Sequence, residues 1–268
     1  MRLHSLASLS ILPLLSLRAS AAPGQTQSGT VGATPHDSYS SSVGVLGCKI
    51  NTNRVAYWPN AVHCDNVCVS LSYGGRKVYL LRIDQSGGAH DVSYDAWNYL
   101  YTGYSATDRP TAGGSVNMQF ENVDASNCAD LIHTKGGRLP LSAANSMNFL
   151  SSCLAQPDSW VAKHYTLYNI LDPVCTLGYD ESCKLDWPDA NQANCTHVLG
   201  MPTLLRGAPV YNIRYPTGQK VLASSGVTTD GSDENAASAA RGNARRLLET
   251  LSWAWALCGL LAGLHAVV

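Results

Sequence analysis

Apolar and polar positions alternate along the first half of this 268-residue chain and collect into continuous apolar runs at its two ends. Val67 to Tyr73 alternates with a period of two, which predicts a half-buried strand. Gly74-Gly75 is a two-residue hairpin turn, because glycine takes positive φ without strain. Lys77 to Ile83 is the returning strand, and it ends in the polar, glycine-containing loop Asp84 to Asp91. Ser93 predicts the cap of a short helix over Tyr94 to Tyr101. Another strand, Ser115 to Val123, leads to Cys128. The second half changes character. Leu141 to Leu150 reads as a helix with Ser142 as N-cap. A second helix is expected to start at Pro157, which suits a first turn, and to end near Leu171, before Pro173. Val210 to Tyr215 and Gln219 to Leu222, joined by Pro216-Thr217-Gly218, read as a final hairpin.

Two stretches lack large apolar residues. Residues 22–42 and 224–240 are rich in Gly, Ser, Thr, Ala and Pro and are expected to be a flexible arm and a flexible stalk. Residues 1–21 read as a secretory signal: a short basic start, an apolar run from about Leu6 to Leu17, and Ala19-Ser20-Ala21 before the cut. Residues 241–268 read as a signal for a glycosylphosphatidylinositol (GPI) anchor that is removed on attachment. Small residues, a polar spacer and an apolar terminus follow one another there. Ser238 is the expected attachment residue, with Asn235 and Gly242 as alternatives. The expected location is the extracellular face of the plasma membrane or the cell wall, with the membrane as a partner only through the anchor.

Between the two signals the chain carries 13 basic and 18 acidic residues. No basic cluster is present to neutralise phosphates, so nucleic acid is not an expected partner. Cys258 falls in the removed tail, which leaves Cys48, Cys64, Cys68, Cys128, Cys153, Cys175, Cys183 and Cys195. An even count in an exported chain argues for disulfides, with many pairings open. Cys64 and Cys68 have usable metal-ligand spacing, but no second pair stands at zinc-finger distance, so no metal or other cofactor is expected. Asn194-Cys195-Thr196 is a glycosylation sequon whose middle residue is one of these cysteines.

The stretch from Cys64 to Cys128 resembles the cerato-platanin proteins of fungi and, more loosely, the double-psi β-barrel group of expansins, barwin-like and rare-lipoprotein-A-like proteins. The close pair Cys64 and Cys68 leads into Leu71-Ser72-Tyr73-Gly74-Gly75-Arg76-Lys77, and the next strand ends in Ile83-Asp84. Asp91-Val92-Ser93, Ala96-Trp97-Asn98-Tyr99-Leu100-Tyr101-Thr102-Gly103 and Val123-Asp124-Ala125-Ser126-Asn127-Cys128 complete the likeness. The resemblance implies a mainly β fold with some α: a double-psi β-barrel over residues 43–135, followed by a helical, disulfide-stapled extension over 136–223. It implies the pairings Cys48–Cys64 and Cys68–Cys128. It also implies a non-catalytic protein that binds or loosens wall polysaccharide such as chitin or β-glucan.

Asp84 is the sharpest single candidate, since it stands where a strand enters a glycine-containing loop. Asp91 closes that loop beside His90. Glycoside cleavage needs two carboxyl groups about 5–9.5 Å apart, so Asp84 and Asp91 are also the candidates for an alternative reading as a weak glycan-cleaving enzyme. The plainer role for Asp84 is to accept loop N–H groups. Tyr101 and Tyr104 flank Thr102-Gly103 and are candidates to line a sugar-binding groove, while Trp97 is expected in the core and Asp95 on a solvated helix face. His63, His133, His164 and His197 show no metal-ligand spacing. A protein-binding effector or protease inhibitor is the third reading.

Overall fold

The structure, a computed structural model, describes residues 27–229. The expected export signal, the anchor signal with Ser238, and the stalk beyond residue 229 lie outside the described residues. Six strands close into a barrel. They are β1 (Ser28–His36), β2 (Val55–Trp58), β3 (Cys68–Tyr73), β4 (Arg76–Gln85), β5 (His90–Ser93) and β6 (Val116–Asn122). The order around the barrel is β1-β5-β2-β4-β3-β6. The contacts β1–β5 and β2–β4 are parallel, and the other four are antiparallel. The hairpin read from Val67 to Ile83 is β3–β4, turning at Gly74-Gly75 with positive φ at both glycines.

Alternation along each strand sorts side chains to two faces. Val31, Ala33, Ala56, Trp58, Val69, Leu71, Leu80, Val92 and Met118 form one cluster, together with Trp97 and Leu100 of α1 (Tyr94–Thr102). Val55, Tyr57, Leu81 and Ile83 point the other way, into a second cluster that includes Leu139, Leu141, Leu150 and Leu167 from the C-terminal half. β2 is therefore buried at all four positions.

The arm expected over residues 22–42 is corrected by β1, which pairs with β6 along one edge and β5 along the other. Its side chains are small or polar, and only Val31 and Ala33 within the strand are buried. What orders it is the backbone ladder on both edges, a contribution that a count of large apolar residues does not register. The barrel accordingly begins near Ser28 rather than at residue 43.

The segment after the barrel is less helical than expected. β7 (Leu139–Ser142), β8 (Tyr165–Ile170) and β9 (Gly178–Cys183) form a three-stranded sheet. The helix expected from Leu141 starts only at Met147, as α2 (Met147–Leu154), and Ser142 ends β7 with its hydroxyl donating to Ile170 O at 2.6 Å. The helix expected from Pro157 to Leu171 is one turn, α3 (Trp160–Lys163), capped by Ser159. It gives way to β8, whose Tyr-Thr-Leu-Tyr-Asn-Ile sequence is aromatic and β-branched and alternates in burial from Thr166 to Asn169. The final hairpin is present as β10 (Tyr211–Ile213) and β11 (Lys220–Leu222). The first residues of the expected stalk fold back on it, with Leu222 N–H donating to Val227 O at 2.8 Å.

All eight cysteines in the described segment are paired. Cys68–Cys128 joins β3 to the turn after β6, as the resemblance implied. Cys48–Cys64 does not form. Cys48 bonds Cys175 and Cys64 bonds Cys153, so both tie the barrel to the following segment. Cys48 sits in a one-turn helix whose Gly47 N–H donates to Pro173 O at 2.8 Å, which sets it beside Cys175. Cys183–Cys195 closes a loop after β9.

Asp95 is buried, not solvated. Its carboxylate accepts from Arg54 Nη1 at 2.8 Å, Ser105 Oγ at 2.6 Å and Ala106 N–H at 2.8 Å, which fixes α1 to two loops.

Candidate functional site

Asp84, Tyr57, Asp91 and Thr34 lie in one row across four adjacent strands, β4, β2, β5 and β1. Directly paired residues share a face, so the four side chains point the same way. Asp84 reaches this face through a bulge. Ala56 pairs with Arg82 and Tyr57 with Asp84, leaving Ile83 as the extra residue. Without it Asp84 would turn towards the barrel interior.

The two carboxylates have different surroundings. Asp84 is buried. Its Oδ1 accepts from Ser42 N–H and Gln85 N–H, both at 2.8 Å, and its Oδ2 accepts from Ser40 Oγ. Ser41 Oγ donates to Ile83 O at 2.8 Å, so the whole Ser40–Ser42 loop is stitched to the end of β4. Asp91 is half-buried. Its Oδ1 accepts from Thr34 Oγ1, and its Oδ2 accepts from no group among the described residues. Tyr57 stands between the two, which places their backbones two strand spacings apart, about 10 Å. Burial, with the Asp84 carboxylate next in effect, pushes the Tyr57 phenol well above its ordinary value, so it stays neutral. The His36 ring packs on Tyr57 with centroids 4.6 Å apart. Asp91 Oδ2, the His36 imidazole and the Thr34 hydroxyl together offer hydrogen bonds of both senses to a polyhydroxylated ligand.

Tyr101 and Tyr104 do not join this row. Arg76, at the hairpin end of β4, donates from Nε to Leu100 O at 2.9 Å and from Nη2 to Tyr101 O at 3.2 Å. Asp84 lies eight residues further along that strand, about 26 Å away. The two tyrosines form a separate aromatic patch. Tyr101 is 41% exposed, with Tyr73 at 6.1 Å and Trp97 at 5.0 Å; Tyr104 is 45% exposed under the Arg109 guanidinium at 3.9 Å. Thr34, His36, Ser40, Ser42 and Tyr57 were absent from the sequence reading of the site. The alternation Val31-Gly32-Ala33-Thr34 carried a weak strand signal, hidden by its small residues.

Elsewhere, Asn194 is exposed and its sequon's Cys195 is bonded to Cys183. Among the described residues no cluster of His, Cys, Asp or Glu is placed to hold a metal ion, and no helix is long and apolar enough to cross a membrane. Among the described residues, Glu181 of β9 is the carboxylate held furthest from its ordinary value. Burial opposes its ionisation, but donors from Asn169 Nδ2, His197 N–H and the His197 ring outweigh that and hold it at about 2. A carboxyl held below its unfolded value contributes stability above the unfolded pKa and loses it as pH falls through the folded one. Stability is therefore expected to decline between about pH 4.5 and pH 2, and Glu181→Gln to flatten that limb in urea unfolding measured across the range. An unchanged acid limb would contradict the assignment.

Set against known proteins, the chain finds no matching family model and no matching curated protein.

Proposed function

We propose that this is a non-catalytic cell-surface protein that binds or loosens wall polysaccharide, built on a double-psi β-barrel of the cerato-platanin and expansin kind. The closed barrel of six strands with two parallel contacts supports the barrel type. Four disulfides support an oxidising location. The observation that carries the functional reading is the state of Asp84. Both of its buried oxygens accept from donors of the chain itself, Ser40 on one and Ser42 and Gln85 on the other, so its bonding is directed inward and not at a ligand. That leaves Asp91 as a single open carboxylate, which suits binding and lacks the second partner that acid–base cleavage needs.

Retention on insoluble chitin or β-glucan is the expected result, with Asp91→Ala lowering it several-fold at unchanged thermal stability. Passage through both polymers without retention would defeat the reading. Release of reducing ends that disappears in Asp84→Asn would transfer the case to the weak glycan-cleaving enzyme. A protein-binding effector is the second reading, favoured by Trp187, Val198, Met201 and Leu204, which are large, apolar and exposed on the loops after β9. Saturable binding to a purified protein, with no glycan retention, would support it.

A further inference from the structure

The barrel interior holds a charge without a counter-charge. Arg82 points inward from β4, two residues beyond Leu80, and is only 6% exposed. No carboxylate lies within ion-pair distance of it among the described residues. Its Nη2 donates to Asn60 O and Ala61 O, both at 3.1 Å, while its Nε–H is buried with no partner. The guanidinium lies 5.6 Å from the ring of Trp58, which is 4% exposed and whose own Nε1–H is also buried and unpaired. Asn122 Oδ1 is a third lone polar atom on the inward side, on β6, which β3 separates from β4. The His90 ring meets the edge of Trp58 at 5.1 Å.

Unpaired buried donors each cost free energy, and an unpaired buried cation costs more. Two unpaired donors, one of them on a cation, on the inward side of one end of the barrel mark a place suited to something that accepts hydrogen bonds. The C-terminal ends of the parallel strands β2 and β4 lie there, beside the Pro59–Val62 loop and the loop that follows Gln85. Gly87 and Gly88 in the second loop have open space where a side chain would stand.

We propose that this mouth binds the carboxylate of an acidic sugar, held by Arg82 and the Trp58 indole N–H. The inference rests on the glycan-binding reading and names a charged sugar class for a second, inward-facing site behind the Asp91 row. Charge matching favours a monoanion. Arg82 supplies one fixed positive charge in a planar fork suited to a carboxylate. Burial, and then Arg82 itself, lower the His90 imidazole from its ordinary value, so it adds no second charge. The hydroxyls of a uronic acid are donors of the kind that Asn122 Oδ1 lacks.

The test titrates trigalacturonic acid, the neutral trisaccharides of chitin and β-glucan, sodium acetate and sodium phosphate into the purified protein. Calorimetry and the Trp58 indole N–H resonance are followed together. Trigalacturonic acid is expected to bind at least tenfold more tightly than the neutral trisaccharides and to shift the indole resonance. Trp58→Phe keeps the ring packing and removes the donor, so it should weaken this binding at least tenfold while leaving retention on insoluble glucan or chitin unchanged. Arg82→Lys keeps a charge but loses the fork, and should remove the preference for the acidic sugar. Equal affinity for acidic and neutral sugars, an unaffected Trp58→Phe variant, or a stronger response to phosphate would overturn the proposal. Retention on neutral polymer without any acid preference would sink this inference alone and leave the glycan-binding reading standing.

Discussion

Replacing Cys48 and Cys175 together by alanine is expected to lower the thermal midpoint by roughly 10 °C, more than removing Cys183–Cys195 does. The two residues are 127 apart in sequence, but with Cys64–Cys153 in place the connecting path is shorter. It runs 16 residues from Cys48 to Cys64, crosses the bridge, and runs 22 residues from Cys153 to Cys175. Closing a loop of about 38 residues restricts the unfolded chain by about 4 kcal/mol. One kcal/mol shifts the midpoint of a domain this size by about 2–4 °C. Cys183–Cys195, with a separation of only 12, is the internal comparison and should cost about 3 kcal/mol. Differential scanning calorimetry of the two double variants decides the matter. A Cys48/Cys175 variant no less stable than the Cys183/Cys195 variant would show that the first bridge does not hold the two halves together.

Trp97→Ala is expected to cost about 3–5 kcal/mol, the range for deleting a large buried aromatic side chain. Trp97 is fully buried, and its Nε1–H donates to Ala33 O of β1 at 3.1 Å. The ring therefore fills the inner cluster and also fastens the strand that carries Thr34 and His36. Trp97→Phe separates the two roles. It keeps most of the volume and loses the hydrogen bond, for about 1 kcal/mol. Urea unfolding gives both numbers. Hydrogen exchange of the β1 amides should accelerate more in Trp97→Ala than in Trp97→Phe. A Trp97→Ala loss below 1 kcal/mol would mean that the helix is not part of the barrel core.

Where alternation was strong, the elements were legible in the sequence. Val67 to Ile83 reads as a hairpin because large apolar residues mark one face and Gly74-Gly75 marks the turn, and both features survive into β3 and β4. β1 was illegible for the opposite reason, since Gly32, Ala33 and Thr34 give little contrast between faces. β8 reads as helix because a helix does start just before it, at Trp160, and nothing in the composition announces that His164 ends it. The candidate site was half legible. Asp84 and Asp91 stand out as carboxylates at the two ends of a loop, but their roles depend on which groups meet them. The donors to Asp84 come from Ser40 and Ser42, forty-odd residues upstream, and the partner of Asp91 is Thr34. The bulge at Ile83 that aims Asp84 outward is a matter of register, which a single strand's sequence does not encode. Tyr101 and Tyr104, expected to line a sugar-binding groove, do not stand beside Asp84. The length of β4 separates them.

The barrel is not a portable module. Its strands β2 and β4 are covered on their outer side by Leu139, Leu141 and Leu167, which arrive only after the barrel's last strand. A chain stopped near residue 135 would expose Val55, Leu81 and Ile83 to water and leave Cys48 and Cys64 as lone thiols. Anyone wishing to graft this surface onto another scaffold, or to express it in pieces, must carry the C-terminal sheet with it.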